Sequence, residues 1–209
     1  SKKYSVHVFD KARGPGGRSS NKRFKNNLSF DHGVQYISPK SKIFTKYIKK
    51  LHKNKILKTW DENHLDFTFE KKTFSSKYIG KKANNDFIKY NLKNVKKSFS
   101  SLITKVSFNK YFWEITLKDK SKYQFKSLIL TCPFPQLKKL AKKYLDKKIL
   151  KLNVQMQPNI TVMIALKNQK SLPISSIKFN DDILAWAANE NSKNRFKSNI
   201  SLWTLQATL

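Results

Sequence analysis

The sequence predicts an α/β fold, and three observations carry this prediction. Short runs of β-branched and aromatic residues alternate with amphipathic helical stretches along the 209 residues. A glycine-rich turn directly follows the first of these runs. The hydrophobic content of 39% is enough for one substantial core or two modest ones.

The first predicted strand ends in an acidic residue, and a turn follows that holds most of the chain's glycine. Residues 5–9 form the strand, and Asp10 comes directly after it. Three of the five glycines lie within residues 13–18, which read RGPGGR. Glycine lets a ligand approach the main chain closely, guanidinium groups suit phosphate, and the oxygens of Asp10 suit two ribose hydroxyls. The segment therefore predicts a dinucleotide site, with a tight surface turn between solvated arginines as the alternative.

Arginine usage favours the dinucleotide interpretation. Of 44 Lys and Arg residues only four are arginine, and three of these are Arg13, Arg18 and Arg23. In a chain that uses lysine almost everywhere else, this clustering indicates that guanidinium geometry matters there, because charge alone could come from lysine.

The remaining elements follow from periodicity and turn residues. Residues 38 and 39, a serine and a proline, predict the start of a helix that runs to about 53. Asn84 or Asn85 predicts the cap of a second helix, and a lysine-rich third helix follows Pro133. Short strands are predicted at 30–37, within 56–78, and at 102–108, 111–117, 122–130, 160–166, 174–179, 183–188 and 200–207.

The net charge of +31 raises nucleic acid or an anionic membrane as a partner. The lysines are spread along the whole chain, however, and no nucleic-acid-binding motif accompanies them. No run of eighteen apolar residues occurs. We therefore expect no specific nucleic acid, no membrane, and a lysine-biased solvated surface.

The cysteine and histidine content predicts neither a disulfide nor a metal site. Cys132 is the single cysteine, which excludes an intramolecular disulfide and favours a reducing, cytoplasmic location. Its place at the end of an apolar run indicates core packing more than a nucleophile. The four histidines lack the spacing of metal ligands.

Several segments, taken in order, resemble the FAD-dependent amine oxidase superfamily, most closely its renalase-like branch. The segments read VFDK at 8–11, RGPGGR at 13–18, DHGVQY at 31–36, YIG at 78–80, LTCPFPQ at 130–136, LAWAAN at 184–189 and WTLQAT at 203–208. The resemblance implies a partial FAD/NAD(P)-binding Rossmann-like domain with an inserted α+β substrate domain built on a mixed sheet. It places residues 1–37 and 79–146 in the FAD-binding domain, and residues 38–78 and 147–209 in the substrate-binding domain.

The resemblance also implies roles for single residues. Asp10 would hold the adenosine ribose. Arg18 would hold the pyrophosphate together with the amides of Gly16 and Gly17, and Arg13 would support the turn. Val106 would contact the adenine through its backbone, and Pro133 belongs to the cofactor-binding set. Gly33 would lie beside the flavin ring. The residues placed at the flavin or substrate face are Gln35, Tyr36, Trp186 and Asn189.

Two departures from the family pattern accompany these roles. The chain begins after the family's Gly-x-Gly-x-x-Gly unit and stops before its C-terminal flavin segment, so we expect a fragment that is inactive in isolation. Lys82, Ala83 and Asn84 stand where the branch has a second glycine and an apolar residue, and Gln206 stands in place of a histidine.

The implied activity is an FAD-dependent oxidase. A dihydronicotinamide dinucleotide or an amine would pass a hydride to flavin N5, with reoxidation by oxygen. The alternative is a non-catalytic basic binding module that kept the fold and lost the flavin.

Overall fold

The computed structural model describes residues 4–25, 27–60, 63–68, 76–169 and 172–208. These residues form fourteen strands, four α-helices and three 3₁₀ turns. The strands are β1 (His7–Phe9), β2 (Lys22–Arg23), β3 (Ser29–Phe30), β4 (Leu57–Thr59), β5 (His64–Leu65), β6 (Tyr78–Gly80), β7 (Lys96–Ser98), β8 (Ile103–Phe108), β9 (Trp113–Leu117), β10 (Lys122–Phe125), β11 (Thr161–Leu166), β12 (Ser176–Lys178), β13 (Leu184–Asn189) and β14 (Ser201–Ala207). The helices are α1 (Lys42–Lys53), α2 (Asp86–Asn91), α3 (Phe134–Ala141) and α4 (Lys147–Leu150).

The chain divides into two compact units, and each is described by itself. The first unit comprises Ser1–Gly14 and Val95–Pro158, and the second comprises Pro15–Asn94 and Asn159–Leu209. The predicted domain bounds, 1–37 with 79–146 and 38–78 with 147–209, stay a prediction.

The first unit combines a parallel strand pair with an antiparallel sheet. Strand β1 pairs in parallel with β7, and the three-stranded sheet has the order β10-β9-β8. The buried residues of its core are Val106, Ile115, Leu117 and Ala141. Apolar side chains of α3, including Leu137 and Leu140, pack against that core as the sequence predicts.

The second unit is built around a mixed five-stranded sheet of order β11-β14-β13-β12-β5. Its strand pairs are antiparallel except for β12 and β5, which run parallel. Helix α1 buries Ile48 and Leu51, and Ile37 and Leu57 complete that core cluster. The mixed sheet and the alternation of helices and strands agree with the predicted α/β class.

Three element predictions are wrong at their bounds. Residues 30–37 do not form one strand, because the chain leaves β3 after Phe30 and bridges to Tyr78 only at Ile37. The strand predicted over 122–130 ends at Phe125, because no strand among the described residues pairs with 128–130. Within that run Ile129 is 86% exposed. Helix α1 is capped by Ser41, whose Oγ accepts from the Phe44 amide at 3.3 Å, and not by residue 38.

Candidate functional site

The glycine turn presents main-chain donors that have no acceptor. Gly16 has φ 148° and Gly17 has φ 49°, values that favour glycine. The Ser19 amide donates to the Gly16 carbonyl at 2.8 Å, which closes a 3₁₀ turn over Gly17–Ser19. Among the described residues, no acceptor lies within hydrogen-bond distance of the amides of Gly16, Gly17 or Arg18. Successive unpaired amides of this kind attract an anion.

Asn85 packs against the turn and bonds to its main chain. Its side chain is buried, and its Nδ2 donates to the Pro15 carbonyl at 3.0 Å. A Cβ at Gly16 would lie 3.3 Å from the Asn85 Cβ and 3.0 Å from the Ser20 Oγ, so this position has little room for a larger residue. The Asn85 Oδ1 is buried without a hydrogen-bond partner among the described residues. A buried acceptor of this kind normally accepts a hydrogen bond, either from water or from a ligand hydroxyl.

Four of the other predicted cofactor-binding residues, Asp10, Arg13, Val106 and Pro133, lie in the first unit. The Asp10 amide donates to the Ser98 carbonyl at 2.9 Å, and the Asp10 Oδ1 accepts from the Ala12 amide at 2.9 Å. Arg13 is exposed and precedes the boundary between the units. Val106 is a buried residue of β8, the edge strand of the three-stranded sheet, and Pro133 stands at the N-terminal cap of α3.

The loop that follows β3 approaches the glycine turn in the second unit. The Val34 amide donates to the Arg18 carbonyl at 2.8 Å. A Cβ at Gly33 would lie 2.0 Å from that carbonyl oxygen, so only glycine fits. The Gln206 Nε2 donates to the Gly33 carbonyl at 2.9 Å, which ties the loop to β14. Gly33 and Arg18, both predicted as cofactor-binding residues, are thus held together.

A buried ionic network lies directly behind this loop, centred on Asp31. The Lys193 Nζ lies 3.0 Å from the Asp31 Oδ2, and the Arg195 guanidinium pairs with the same oxygen. The Lys193 Nζ also lies 2.9 Å from the Glu190 Oε2. The Glu190 Oε1 in turn accepts from the Asp31 amide at 3.2 Å and from the Thr204 hydroxyl at 2.7 Å. Two cations and two carboxylates balance each other without access to water.

Asn84 extends the network to the segment that follows β6. The Asn84 amide donates to the Asp31 Oδ1 at 3.1 Å, and its side-chain Oδ1 accepts from the Gly80 amide and from Arg195. Its Nδ2 donates to the carbonyls of Val34 and Gln35 at 2.7 and 2.8 Å. An apolar residue at this position could form none of the side-chain bonds, which gives the family departure at Asn84 a structural role.

The ionic surroundings fix the charge of Asp31. Burial by itself would raise the pKa of this carboxyl, but the Lys193 and Arg195 cations and the hydrogen bonds from Arg195 and Asn84 outweigh it and hold the pKa well below its ordinary value. Asp31 is therefore ionised at every physiological pH.

The side-chain amides of Gln35 and Asn189 donate hydrogen bonds to main-chain carbonyls of the protein itself. The Gln35 Nε2 donates to the Asp31 and Gly33 carbonyls, and its Oε1 accepts from the Lys193 Nζ at 3.1 Å. The Asn189 Nδ2 donates to the carbonyls of Leu172 and Ile174 at 3.1 and 3.0 Å. Both side chains are buried. The geometry assigns them to loop support, and their contact with a substrate stays a prediction.

Tyr36 and Trp186 meet in an aromatic cluster with Trp60. The Tyr36 ring centroid lies 5.8 Å from that of Trp186 and 6.5 Å from that of Trp60. Burial raises the pKa of the Tyr36 hydroxyl, which keeps the phenol neutral. The Trp186 Nε1 is buried without an acceptor among the described residues, whereas the Trp60 Nε1 donates to the Ser192 hydroxyl at 3.0 Å. The cluster offers flat apolar faces and one free donor.

Sequence reasoning gave the network residues no role, although three signals pointed to them. Lys193 belongs to the segment that matches the family after Asn189, and Arg195 is the single arginine outside the region 13–23. Asp31 is one of only 13 acidic residues in a chain of net charge +31. An acidic residue within a basic sequence is a candidate for burial against cations. Within the described residues, no group of three or more His, Cys, Asp or Glu side chains is arranged to hold a metal ion.

The segment that contains the glycine turn is similar to a known family. Residues 1–51 match the model of the NAD(P)-binding Rossmann-like domain family. That match covers β1, the glycine turn, the Gly33 loop and most of α1.

Solved structures resemble the chain over nearly its whole length. A Pyrococcus furiosus protein matches with TM-score 0.71 and 11% identity, covering 100% of this chain and 74% of its own. Wild-type putrescine oxidase bound to putrescine matches with TM-score 0.66 and 7% identity, over 96% of this chain and 69% of its own.

A putative protoporphyrinogen oxidase from Exiguobacterium sp. matches with TM-score 0.51 and 13% identity, over 65% of this chain and 32% of its own. At these identities the likeness shows the fold. The predicted Rossmann-like α/β class with a mixed sheet is confirmed.

Proposed function

We propose that this chain binds FAD and that its function is that of an oxidoreductase of the amine oxidase type. The observation that carries the proposal is the set of amides at Gly16, Gly17 and Arg18 that form no hydrogen bond among the described residues, in a turn where two glycines adopt positive φ. Such amides and the exposed Arg18 guanidinium suit a pyrophosphate. The family match over residues 1–51 supports the same assignment.

The residues present fit the cofactor at several points. Asp10 would accept from the adenosine ribose, and the backbone of the edge strand β8 at Val106 would contact the adenine. The unpartnered Asn85 Oδ1 offers an acceptor to a hydroxyl next to the phosphate-binding amides. Gly33, Gln35 and Tyr36 would border the flavin ring, with Gln35 holding the loop main chain. When bound, the flavin supplies the hydride-accepting chemistry.

For the substrate we propose a dihydronicotinamide dinucleotide, with an amine as the second candidate. The resemblance to the renalase-like branch, including the segment at 184–189, supports the first. The aromatic faces of Tyr36 and Trp186 and the free Trp186 Nε1 suit a flat ring that carries an acceptor such as a carboxamide. Putrescine oxidase, a protein of similar fold, was solved with putrescine bound, which keeps the amine in consideration.

Equilibrium binding of FAD to the purified chain tests the cofactor proposal. We expect FAD to bind and riboflavin, which lacks the pyrophosphate, to bind more weakly. Arg18→Ala should raise the FAD dissociation constant about tenfold or more, since a charge-assisted hydrogen bond contributes about 1.5–3 kcal/mol. Arg23→Ala removes an equally exposed arginine and serves as the matched control. Equal loss in both variants, or no binding at all, would instead favour the flavin-free basic module.

Anaerobic bleaching of flavin bound to a protein that carries this chain with a complete flavin site tests the substrate proposal separately. Dihydronicotinamide dinucleotide isomers should bleach the visible flavin spectrum faster than putrescine does. Trp186→Phe keeps the aromatic face but removes the donor, so it should slow bleaching while FAD binding is retained. A flavin that stays oxidised with both substrates would contradict the substrate class and leave the cofactor proposal standing.

A further inference from the structure

Helix α1 carries a basic face with no acidic counterpart. Residues 32–60 contain eight lysines and not one Asp or Glu. Lys42, Lys46, Lys49 and Lys53 recur at helical spacing on one side of α1, opposite the buried Ile48 and Leu51. Among the salt bridges of the described residues, none involves these four lysines.

A shallow groove concentrates this charge near the N-terminal end of α1. The groove has a volume of about 390 Å³ and is lined by Lys40, Lys42, Thr45, Lys46 and Lys49. Four ammonium groups and one hydroxyl surround a space that can admit a phosphate group. The helix itself contributes four of these residues, so the spacing of residues along α1 determines the lining of the groove.

One large apolar side chain projects beside the basic face. Ile43 is 86% exposed, and helical spacing places it next to the lysines of the groove. Phe44 stands two residues from Lys42 and from Lys46, so it lies on the far side of the helix, where it stacks on Tyr47 at a centroid distance of 6.3 Å. Large apolar groups at such exposure gain free energy if they enter an apolar medium.

The lysine-rich helix α3 provides a contrast within the same chain. Lys138, Lys139 and Lys142 at its surface are exposed, whereas its leucines pack against the core of the first unit. Helix α3 therefore presents charge without exposed large apolar groups, and α1 presents both together.

Although the dispersed lysines alone predict no membrane partner, we propose that the α1 surface, composed of Lys40, Lys42, Ile43, Lys46 and Lys49, docks on a bilayer rich in anionic phospholipid. Lysines would contact headgroup phosphates while Ile43 enters the boundary between headgroups and acyl chains. A nucleic acid offers phosphate but no apolar medium for Ile43, so the combination favours the bilayer. Such docking is peripheral: no helix of the described residues is long and apolar enough to cross a membrane.

Vesicle flotation with the full 209-residue chain tests this surface. We expect binding to vesicles of phosphatidylcholine mixed with phosphatidylglycerol, weak binding to phosphatidylcholine alone, and loss of binding as salt rises. Lys42→Gln, Lys46→Gln and Lys49→Gln together should lower the partition coefficient about 100-fold, at roughly 1 kcal/mol per lysine. The triple change Lys138→Gln, Lys139→Gln and Lys142→Gln on α3 is the matched control and should leave binding close to that of the parent chain.

The apolar part of the surface is tested by a second pair of variants. Ile43→Ser should lower the partition coefficient about tenfold, since a buried aliphatic side chain contributes about 1.5–3 kcal/mol. Ile183→Ser, at a position 80% exposed outside α1, should change little. Far-UV circular dichroism checks that each variant stays folded.

Three outcomes would overturn the proposal. They are absence of binding to anionic vesicles at low salt, equal losses in the α1 and α3 variants, and α1 variants that weaken binding to duplex DNA but leave vesicle binding intact. Because FAD binding is measured separately, these outcomes bear on the α1 surface and leave the proposed function untouched.

Discussion

At the scale of single residues, the site region depends on a few groups for which no substitute fits. Gly33 lies against the Arg18 carbonyl, and Asp31 pairs with two buried cations. Each group connects the loop 31–36 to another segment of the second unit. Small changes at these positions should therefore have larger effects than changes at most exposed positions.

Gly33→Ala should lower the free energy of unfolding by about 1–3 kcal/mol, because the new Cβ would lie 2.0 Å from the Arg18 carbonyl oxygen and force the main chain apart. Gly14→Ala is the control, since nothing lies within 4 Å of its Cβ. Urea denaturation of both variants measures the difference. Equal stability would contradict the close approach at Gly33.

Lys193→Met should destabilise the chain by about 3–5 kcal/mol, because it leaves two buried carboxylates with one cation fewer. Lys89→Met removes a lysine whose ammonium, at the surface, lies 3.7 Å from Asp86, and it should cost about 1 kcal/mol or less. Thermal unfolding of the pair checks the contrast. Similar losses would show that the buried network contributes no more than a surface ion pair.

The stability of the chain should fall in acid partly through Asp31. Its pKa is lower in the folded than in the unfolded state, so its contribution is present above the unfolded value of about 3.9 and is lost as pH falls below it. The difference in unfolding free energy between the parent chain and Asp31→Asn should therefore shrink below about pH 4. A difference that stays constant from neutral pH into this acid range would refute the assignment.

At the scale of elements, local sequence signals and tertiary partners share control of where each element ends. The turns at Asn109 and Asp119 form from local signals, because each side chain accepts from amides two or three residues ahead. The run 128–130 has strand composition but no pairing strand among the described residues, so composition alone does not make it a strand.

The cap of α1 gives a prediction at this scale. Ser41→Ala should lower the free energy of unfolding by about 1 kcal/mol, since the Ser41 Oγ accepts from the Phe44 amide. Ser41→Asp should restore most of the loss, because a carboxylate also caps and complements the helix dipole. Denaturant unfolding compares the three chains. If Ser41→Ala leaves the free energy of unfolding unchanged and Ser41→Asp lowers it, the cap contributes nothing to stability.

At the scale of the whole molecule, the excess of positive charge works against compactness. The chain carries a net charge of +31, and the residues that the structure describes form few ion pairs. Raising the sodium chloride concentration from low to physiological ionic strength should raise the melting temperature by a few degrees, about 1 kcal/mol of stability, as repulsion is screened. An unchanged or lower melting temperature would indicate that the lysines are too dispersed to repel one another appreciably.

The sequence by itself determined the α/β class, and it predicted the dinucleotide site at the turn 13–18. These follow from local rules, namely hydrophobic periodicity, β-branched runs and the conformational freedom of glycine, which act over a few residues. Only the tertiary structure joined Asp31 to Glu190, Lys193 and Arg195 across about 160 positions of sequence. It also gathered the lysines of α1 into one groove beside Ile43. Burial and side-chain direction depend on which distant segments meet, and no local pattern encodes that.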